Sequence, residues 1–219
     1  MSFDKNITLA VDHLIVAAPD LDSGSQWVAD ILGVMPLTGG QHPHWGTHNA
    51  LLGLGEHTYL EVLAPDPTLP IPARGRWLHD FCQRGPGLAT WAIHTTDIDT
   101  DAQQVLDLGI SLGSVQTGSR QRADGRVLSW QLTDPYALPF SGVFPFLIDW
   151  SATPHPGTSL PRVGMLTELR LEHPEADLLN RHFQNLGIAA DAFKAKEPRL
   201  SAILTVNGQK IKLPGLPDK

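Results

Sequence analysis

The chain has 219 residues, 42% of them hydrophobic and 18% charged, which is globular composition and excludes a disordered or collagen-like polymer. Its 23 acidic residues against 16 basic ones give a net charge of −7 with no basic run, so nucleic acid is not an expected partner. The single cysteine, Cys82, excludes an intrachain disulfide and a thiolate zinc cage, and no apolar stretch is long enough to span a bilayer, so a soluble, unprocessed, cytoplasmic protein is expected with no membrane partner.

Taken in chain order, the first apolar strand is His13 to Ala18, followed by Asp20 and an amphipathic segment that closes on Leu32-Gly33-Val34. A His-rich loop, Gly39 to His48, leads to two strand-like runs, Asn49 to Leu54 and Thr58 to Leu63, joined by a short hairpin connection. The same grammar returns with the strand Leu88 to Thr95, Asp97, and a helix carrying Ala102, Val105 and Leu106 before Leu108-Gly109-Ile110. Asp124-Gly125 is a hairpin turn leading into Arg126 to Leu132, and Phe144 to Trp150 is a further apolar strand. A third round starts with Leu166 to Leu171 and Glu175, closes its helix on Leu186-Gly187-Ile188, and ends with Leu200 to Val206, the turn pair Asn207-Gly208, and Gln209 to Leu213.

The three glycines that end the helices lie 76 and 78 residues apart, the mark of an internal repeat. The order reads as two full β-α-β-β-β units and a partial β-α-β-β copy, with expected modules at 1–80, 86–156 and 160–219 and Pro-rich seams between them. Helices mixed with antiparallel hairpins place the chain in the α+β class. Each curled sheet would carry its helix on one face and share a cleft on the other, which explains why first strands are apolar on both sides.

These blocks resemble the vicinal oxygen chelate superfamily, and within it the glyoxalase-like domain proteins. The resemblance is carried by Val11-Asp12-His13-Leu14-Ile15-Val16 with Asp20-Leu21, by Gly39 to Asn49, by Tyr59-Leu60-Glu61-Val62, and by Pro145 to Trp150 followed by His155-Pro156. It covers residues 8 to 156 well and the remainder weakly. It implies paired β-α-β-β-β modules around a small-molecule site, either a metal-assisted isomerase, lyase or dioxygenase, or a metal-free protein that binds and sequesters its ligand. In metal-using relatives the ligands come from the first and last strands of each module. Carried over, those positions are His13, Glu61, Thr90 and Asp149, of which His13, Glu61 and Asp149 would hold Zn, Mn, Fe or Ni or act as bases. Thr90 departs from the pattern, and His94 lies four residues further on, about 13 Å along a strand.

Read as residues alone, His13 can equally be a cleft or core histidine bonded to backbone. Glu61 and Asp149, each flanked by apolar neighbours, need a cation, a donor or a polar cavity, and a neutral hydrogen-bond network would also serve. His42, His44 and His48 fit no zinc spacing, and His42, His48 and Asn49 are candidates for substrate contact near the cleft mouth. Arg126 and Trp130 share a strand face and would offer a cation and a flat wall to an anionic or aromatic ligand. Cys82 has no paired base. The two full modules can complete a cleft within one chain or across a homodimer.

Overall fold

The computed structural model describes residues 10–121, 127–151 and 153–218. The first unit runs β1 (Val11–Ala17), α1 (Leu21–Leu32), β2 (Leu37–His42), β3 (Thr47–Gly53) and β4 (Tyr59–Pro65). A four-residue helix, α2 (His79–Cys82), leads to the second: β5 (Gly87–His94), α3 (Ile98–Asp107), β6 (Gln116–Gln121), β7 (Val127–Leu132) and β8 (Phe146–Asp149). The third has β9 (Gly164–His173), α4 (Ala176–Leu186), β10 (Ala192–Lys194), β11 (Arg199–Val206) and β12 (Gln209–Leu213). Asp20 and Asp97 cap α1 and α3 through their carboxylates, and Gly33, Gly109 and Gly187 follow the helices with left-handed φ of 72°, 82° and 67°.

The first two units form one eight-stranded sheet in the order β2-β3-β4-β1-β5-β8-β7-β6. β1 pairs with β4 in parallel and with β5 antiparallel, so the two first strands lie side by side at the centre. The sheet curls until its end strands β2 and β6 meet, yet among the described residues no hydrogen-bonded ladder joins them. The result is nearly a closed barrel.

Away from its bulges, side chains alternate across this sheet, as period-two strands require. Leu14 and Val16 of β1, Leu60 and Val62 of β4, and Leu147 of β8 face outward into a core shared with α1, α3 and the third unit. Ile15, Ala17, Tyr59, Leu63, Leu128, Trp130, Leu132, Phe146 and Ile148 face inward with Trp45, Trp77 and Trp150. Both faces are therefore buried, which accounts for the apolar runs in β1 and β5.

The third unit contains a short strand that its sequence pattern did not reveal. β10 is three residues long and pairs in parallel with β9, giving a separate four-stranded sheet in the order β10-β9-β11-β12. Its first strand is flanked by two strands of its own unit, whereas β1 pairs across to β5 of the second unit. The unit packs outside the barrel, with Phe183 of α4 against Trp91 and Phe144 at ring separations of 6.4 and 5.8 Å. The chain then returns to the barrel, where Leu88 bonds Pro214 and Leu216 through backbone groups. The segment expected as a loop, Gly39 to His48, is instead the end of β2, a turn and the start of β3; its glycines form a bulge, since Thr38 opposes Ala50 but Gln41 opposes His48. The turn Asp124-Gly125 lies outside the described residues, while Asn207 and Gly208 take φ of 50° and 78° in the β11–β12 hairpin.

Candidate active site

One strand irregularity builds the centre of the site. Val11 opposes Ile93 and His13 opposes Ala92, so Asp12 is an extra residue on β1. In a regular strand Asp12 and His13 would point to opposite faces. The bulge lets both side chains meet, with Asp12 Oδ1 2.7 Å from His13 Nδ1. Asp12 is fully buried and accepts from Trp150 Nε1 at 3.1 Å and His155 Nε2 at 3.1 Å, with the His94 ring nearby, its Nδ1 3.3 Å from the carboxylate. Burial pushes the Asp12 carboxyl up, but the surrounding His13, His155 and His94 rings outweigh it and hold the group well below the usual carboxylate range.

The tautomers follow from unambiguous partners. His155 Nδ1 accepts from the Gly157 backbone N–H at 3.0 Å, so its proton sits on Nε2 and is donated to Asp12. His13 gives Nδ1–H to the same carboxylate, which turns Nε2 toward the interior, 3.5 Å from Glu61 Oε2. Tyr59 stacks on the His13 ring at 4.6 Å, and Phe146 meets it edge-on at 5.5 Å. Burial, reinforced by the charges of Asp12 and Glu61, pushes the Tyr59 phenol well above its ordinary value, so it stays a neutral O–H donor.

A second chain of polar groups leads away from Glu61. Asn49 Nδ2 donates to Glu61 Oε1 at 2.7 Å and lies 3.3 Å from His42 Nε2. The orientation of that amide is set by the β2 bulge, where Gly40 N–H donates to Asn49 Oδ1 at 2.8 Å. A Cβ at Gly39 would lie 2.0 Å from the same oxygen, so only glycine leaves room for the carboxamide. His42, accepting at Nε2, gives Nδ1–H to Thr47 Oγ1 at 3.2 Å. Burial drives His42 down to about 4 despite the opposing pull of Glu61, so the ring is neutral and keeps these two roles.

Of these groups His13, Glu61, Tyr59, Asn49 and His42 line a narrow interior cavity, together with Trp45, Trp77, Trp130, Trp150 and Arg120. Its volume is about 30 Å³, room for roughly two waters. Trp130 lies 5.2 Å from Trp150 and 6.2 Å from Trp45, and Gly118 opposite it on β6 has no side chain to obstruct the indole.

Of the residues expected from the sequence, the structure brings together His13, Glu61, Asn49, His42 and Trp130. His48 faces the outer side of β3, 3.6 Å from Asp66, and Arg126 lies outside the described residues. Asp149 is not part of the cavity. On β8 the inward positions are Phe146 and Ile148, and Asp149 accepts from the Ser151 N–H at 2.7 Å and from the Ser151 hydroxyl. Thr90 donates to the Gly142 carbonyl at 3.0 Å. Burial pushes the Cys82 thiol up to about 12, so it is not a nucleophile. Sequence reasoning passed over Asp12, Tyr59, His155, Trp150 and Arg120. Asp12 carried the same signal as Glu61, a carboxylate beside apolar strand residues, but it lay just ahead of the expected first strand, His13 to Ala18.

The expected divalent ion does not suit this donor set. Only His13 and Glu61 face each other across the cavity, the positions opposite are Phe146 and Ile148, and no group of three His, Cys, Asp or Glu side chains able to hold a metal forms among the described residues. Metal sites that hold a catalytic ion use about three protein ligands.

Fold and cavity together define a glyoxalase-like protein of the vicinal oxygen chelate superfamily. Residues 11–187 match the sequence profile described as Glyoxalase-like domain, and the chain belongs to that family. A hypothetical protein from Staphylococcus aureus is similar in structure, with a TM-score of 0.62 at 16% identity over 86% of this chain and 87% of that one. Methylmalonyl-CoA epimerase from Mycobacterium tuberculosis aligns with a TM-score of 0.42 at 22% identity over 66% of this chain and 91% of its own. A methylmalonyl-CoA epimerase in complex with methylmalonyl-CoA and ammonium gives 0.44 at 23% identity over 68% and 100%. No curated protein matches the sequence. Among the described residues no helix is long and apolar enough to cross a membrane.

Proposed function

We propose that this chain is a small-molecule enzyme that moves a proton at carbon next to a carbonyl, with His13 as base and Glu61 as its acid–base partner. The observation that carries this reading is the buried Asp12 carboxylate 2.7 Å from His13 Nδ1, which leaves the Nε2 lone pair directed at the cavity. His13 Nε2 takes the proton, the C–H electron pair moves into the carbonyl, and an enolate forms. The imidazolium so created lies between Asp12 and Glu61, both of opposite charge. Asn49 Nδ2 holds the far oxygen of Glu61, keeping the carboxylate turned toward His13. Tyr59, whose phenol stays neutral, stacks its ring on His13 and closes that side of the cavity. Returning to the same carbon a proton that has exchanged with solvent on His13 gives exchange, and delivering it to a neighbouring carbon gives isomerisation. No step requires a metal ion, in keeping with the donor set.

A second reading, a protein that binds and sequesters an aromatic compound, is favoured by the Trp45, Trp77, Trp130 and Trp150 walls. Solvent exchange separates the two. Small carbonyl compounds (pyruvate, 2-oxobutyrate, acetoacetate and hydroxyacetone) are incubated with the protein in D2O, and loss of the α-proton signal is followed by NMR. Catalysed exchange that falls by about 10²–10⁴ in His13→Gln and Glu61→Gln supports the enzyme. No catalysed exchange across the set, together with quenching of tryptophan fluorescence by an aromatic compound such as indole, supports the binder.

A further inference from the structure

The cavity has a charged group that the proton-transfer reading does not use. Arg120 is on β6, the end strand of the eight-stranded sheet, and it lines the same space as His13, Glu61 and the four indoles. It opposes Leu128 on β7, two positions beyond the Gly118–Trp130 pair, so it lies on the inward face with the aromatic wall. Across the seam stands β2, whose last residue, His42, also lines the cavity. Arg120 is close enough to disfavour a second positive charge on His42.

The seam is also where the barrel can open. Every other neighbouring pair in the sheet is hydrogen-bonded, whereas β2 and β6 touch without a ladder among the described residues. Parting them breaks side-chain packing rather than backbone hydrogen bonds, so this is the least costly route to a cavity now only about 30 Å³ in volume. A guanidinium at that seam meets an entering molecule early. Its planar fork of five N–H donors matches a carboxylate, and five donors allow it to keep a protein partner and hold an anion together. Beyond it the walls are flat and apolar, which suits a planar hydrocarbon body more than a second charge. Asp12 and Glu61 further inside disfavour a second carboxylate, so a dianion is excluded.

We propose that the site takes a small organic monoanion, a carboxylate with a flat apolar body, admitted at the β2–β6 seam and held there by Arg120. This rests on the interior cavity being the substrate site, as proposed above, and names the substrate class. Arg120 sets specificity by charge, with the carbon acid of the substrate carried inward toward His13.

The test uses two compounds of the same shape. Phenylacetate and phenylacetamide are titrated into wild type, Arg120→Gln and Arg120→Lys, with binding read from tryptophan fluorescence and folding checked by thermal melting. Wild type should bind the acid at least tenfold more tightly than the amide. Arg120→Gln should bring the acid down to the amide while leaving amide affinity unchanged, and Arg120→Lys should keep part of the preference. Equal affinity for acid and amide in wild type, binding of neither, or a preference that survives in Arg120→Gln would overturn the proposal. Arg120-dependent acid binding without any carbon-proton exchange would remove the enzyme reading and leave this one standing. Exchange of neutral ketones by wild type, with no preference for acids, would do the reverse.

Discussion

The two halves of the barrel share one element order and have opposite interiors. The first half directs His13, Asn49, Glu61 and His42 inward, while the corresponding face of the second half presents Ala92, Leu128, Trp130, Leu132, Phe146 and Ile148. Among the described residues the polar exceptions at that wall differ in kind, since Arg120 comes from an end strand and Trp150 reaches back to Asp12 of the first half. One half is a hydrogen-bonded relay; the other is a wall against which a ligand can be pressed. A repeat fold therefore does not imply a symmetric site, and in the proposed reaction the polar groups come from one module while the other supplies an apolar wall.

The largest effect should follow removal of the charge at the centre of the relay. Asp12→Ala leaves His13, His155 and Trp150 donors facing an empty space, and we expect a loss of about 3–5 kcal/mol in urea unfolding, since one partner of a buried charged network is gone. A loss under about 1 kcal/mol would mean that the first half is not organised around Asp12.

The second effect is a pH dependence that belongs to the polar half. His42 is pushed down to about 4 in the folded protein against 6.5 for the free side chain. Its folded value is the lower one, so its contribution is present above about pH 6.5 and is lost as pH falls toward 4, because the unfolded chain takes up a proton that the folded chain refuses. The full swing is about 3 kcal/mol at most. Partial burial lowers His173 and His182 too, which adds to the same trend, whereas the Asp12 carboxylate raises His94, whose contribution runs the other way and is lost as pH rises. Urea midpoints measured from pH 7 to pH 4.5 should fall, and His42→Gln should flatten that fall. An unchanged slope in the variant would assign the trend elsewhere.

A smaller effect is expected at the bulge that aims Asn49. Gly39→Ala places a methyl on the Asn49 carboxamide oxygen, and we expect a cost of about 1–3 kcal/mol from the forced shift. Activity should fall with it if Glu61 depends on Asn49 for its orientation, which a stability-matched variant on the outer face would not reproduce.

The smallest effect concerns the second half. Asp149→Asn should cost about 1 kcal/mol or less through its contact with the Ser151 backbone and leave exchange kinetics unaltered, since Asp149 is turned away from the cavity. Adding Zn or Mn to wild type should leave the melting temperature where it is. A rise lost in both His13→Gln and Asp149→Asn would contradict the asymmetry, because a bound ion stabilises whatever state holds it.

Most of the barrel was legible because alternation and helix ends are local signals. Leu128, Trp130 and Leu132 at every second position give the inward face of β7, and Gly33, Gly109 and Gly187 mark the helix ends. The site was legible mainly through the resemblance, which supplied His13 and Glu61 from the first and last strands of the module and Asn49 from the segment near the cleft mouth. Asp12 was hidden by a bulge, which depends on how β1 opposes β5 and has no signature in either strand alone. Asp149 was placed by aligning Tyr59-Leu60-Glu61 with Leu147-Ile148-Asp149, whereas the inward set on β8 is Phe146 and Ile148, and a shift of one residue exchanges the faces of a strand. β10 is three residues of Ala-Phe-Lys, too short for a periodic pattern, and owes its existence to pairing with β9.

The claim that the polar half is built to present a bare nitrogen is open to direct observation. Nitrogen-15 NMR of histidine-labelled protein, at a pH where the rings are neutral, reports which nitrogen of each carries the proton. His13 and His42 should be protonated at Nδ1 and His155 at Nε2, with the His13 pattern lost in Asp12→Asn. A neutral His13 carrying its proton on Nε2 in the wild-type protein would contradict the orientation by Asp12 on which the base assignment rests.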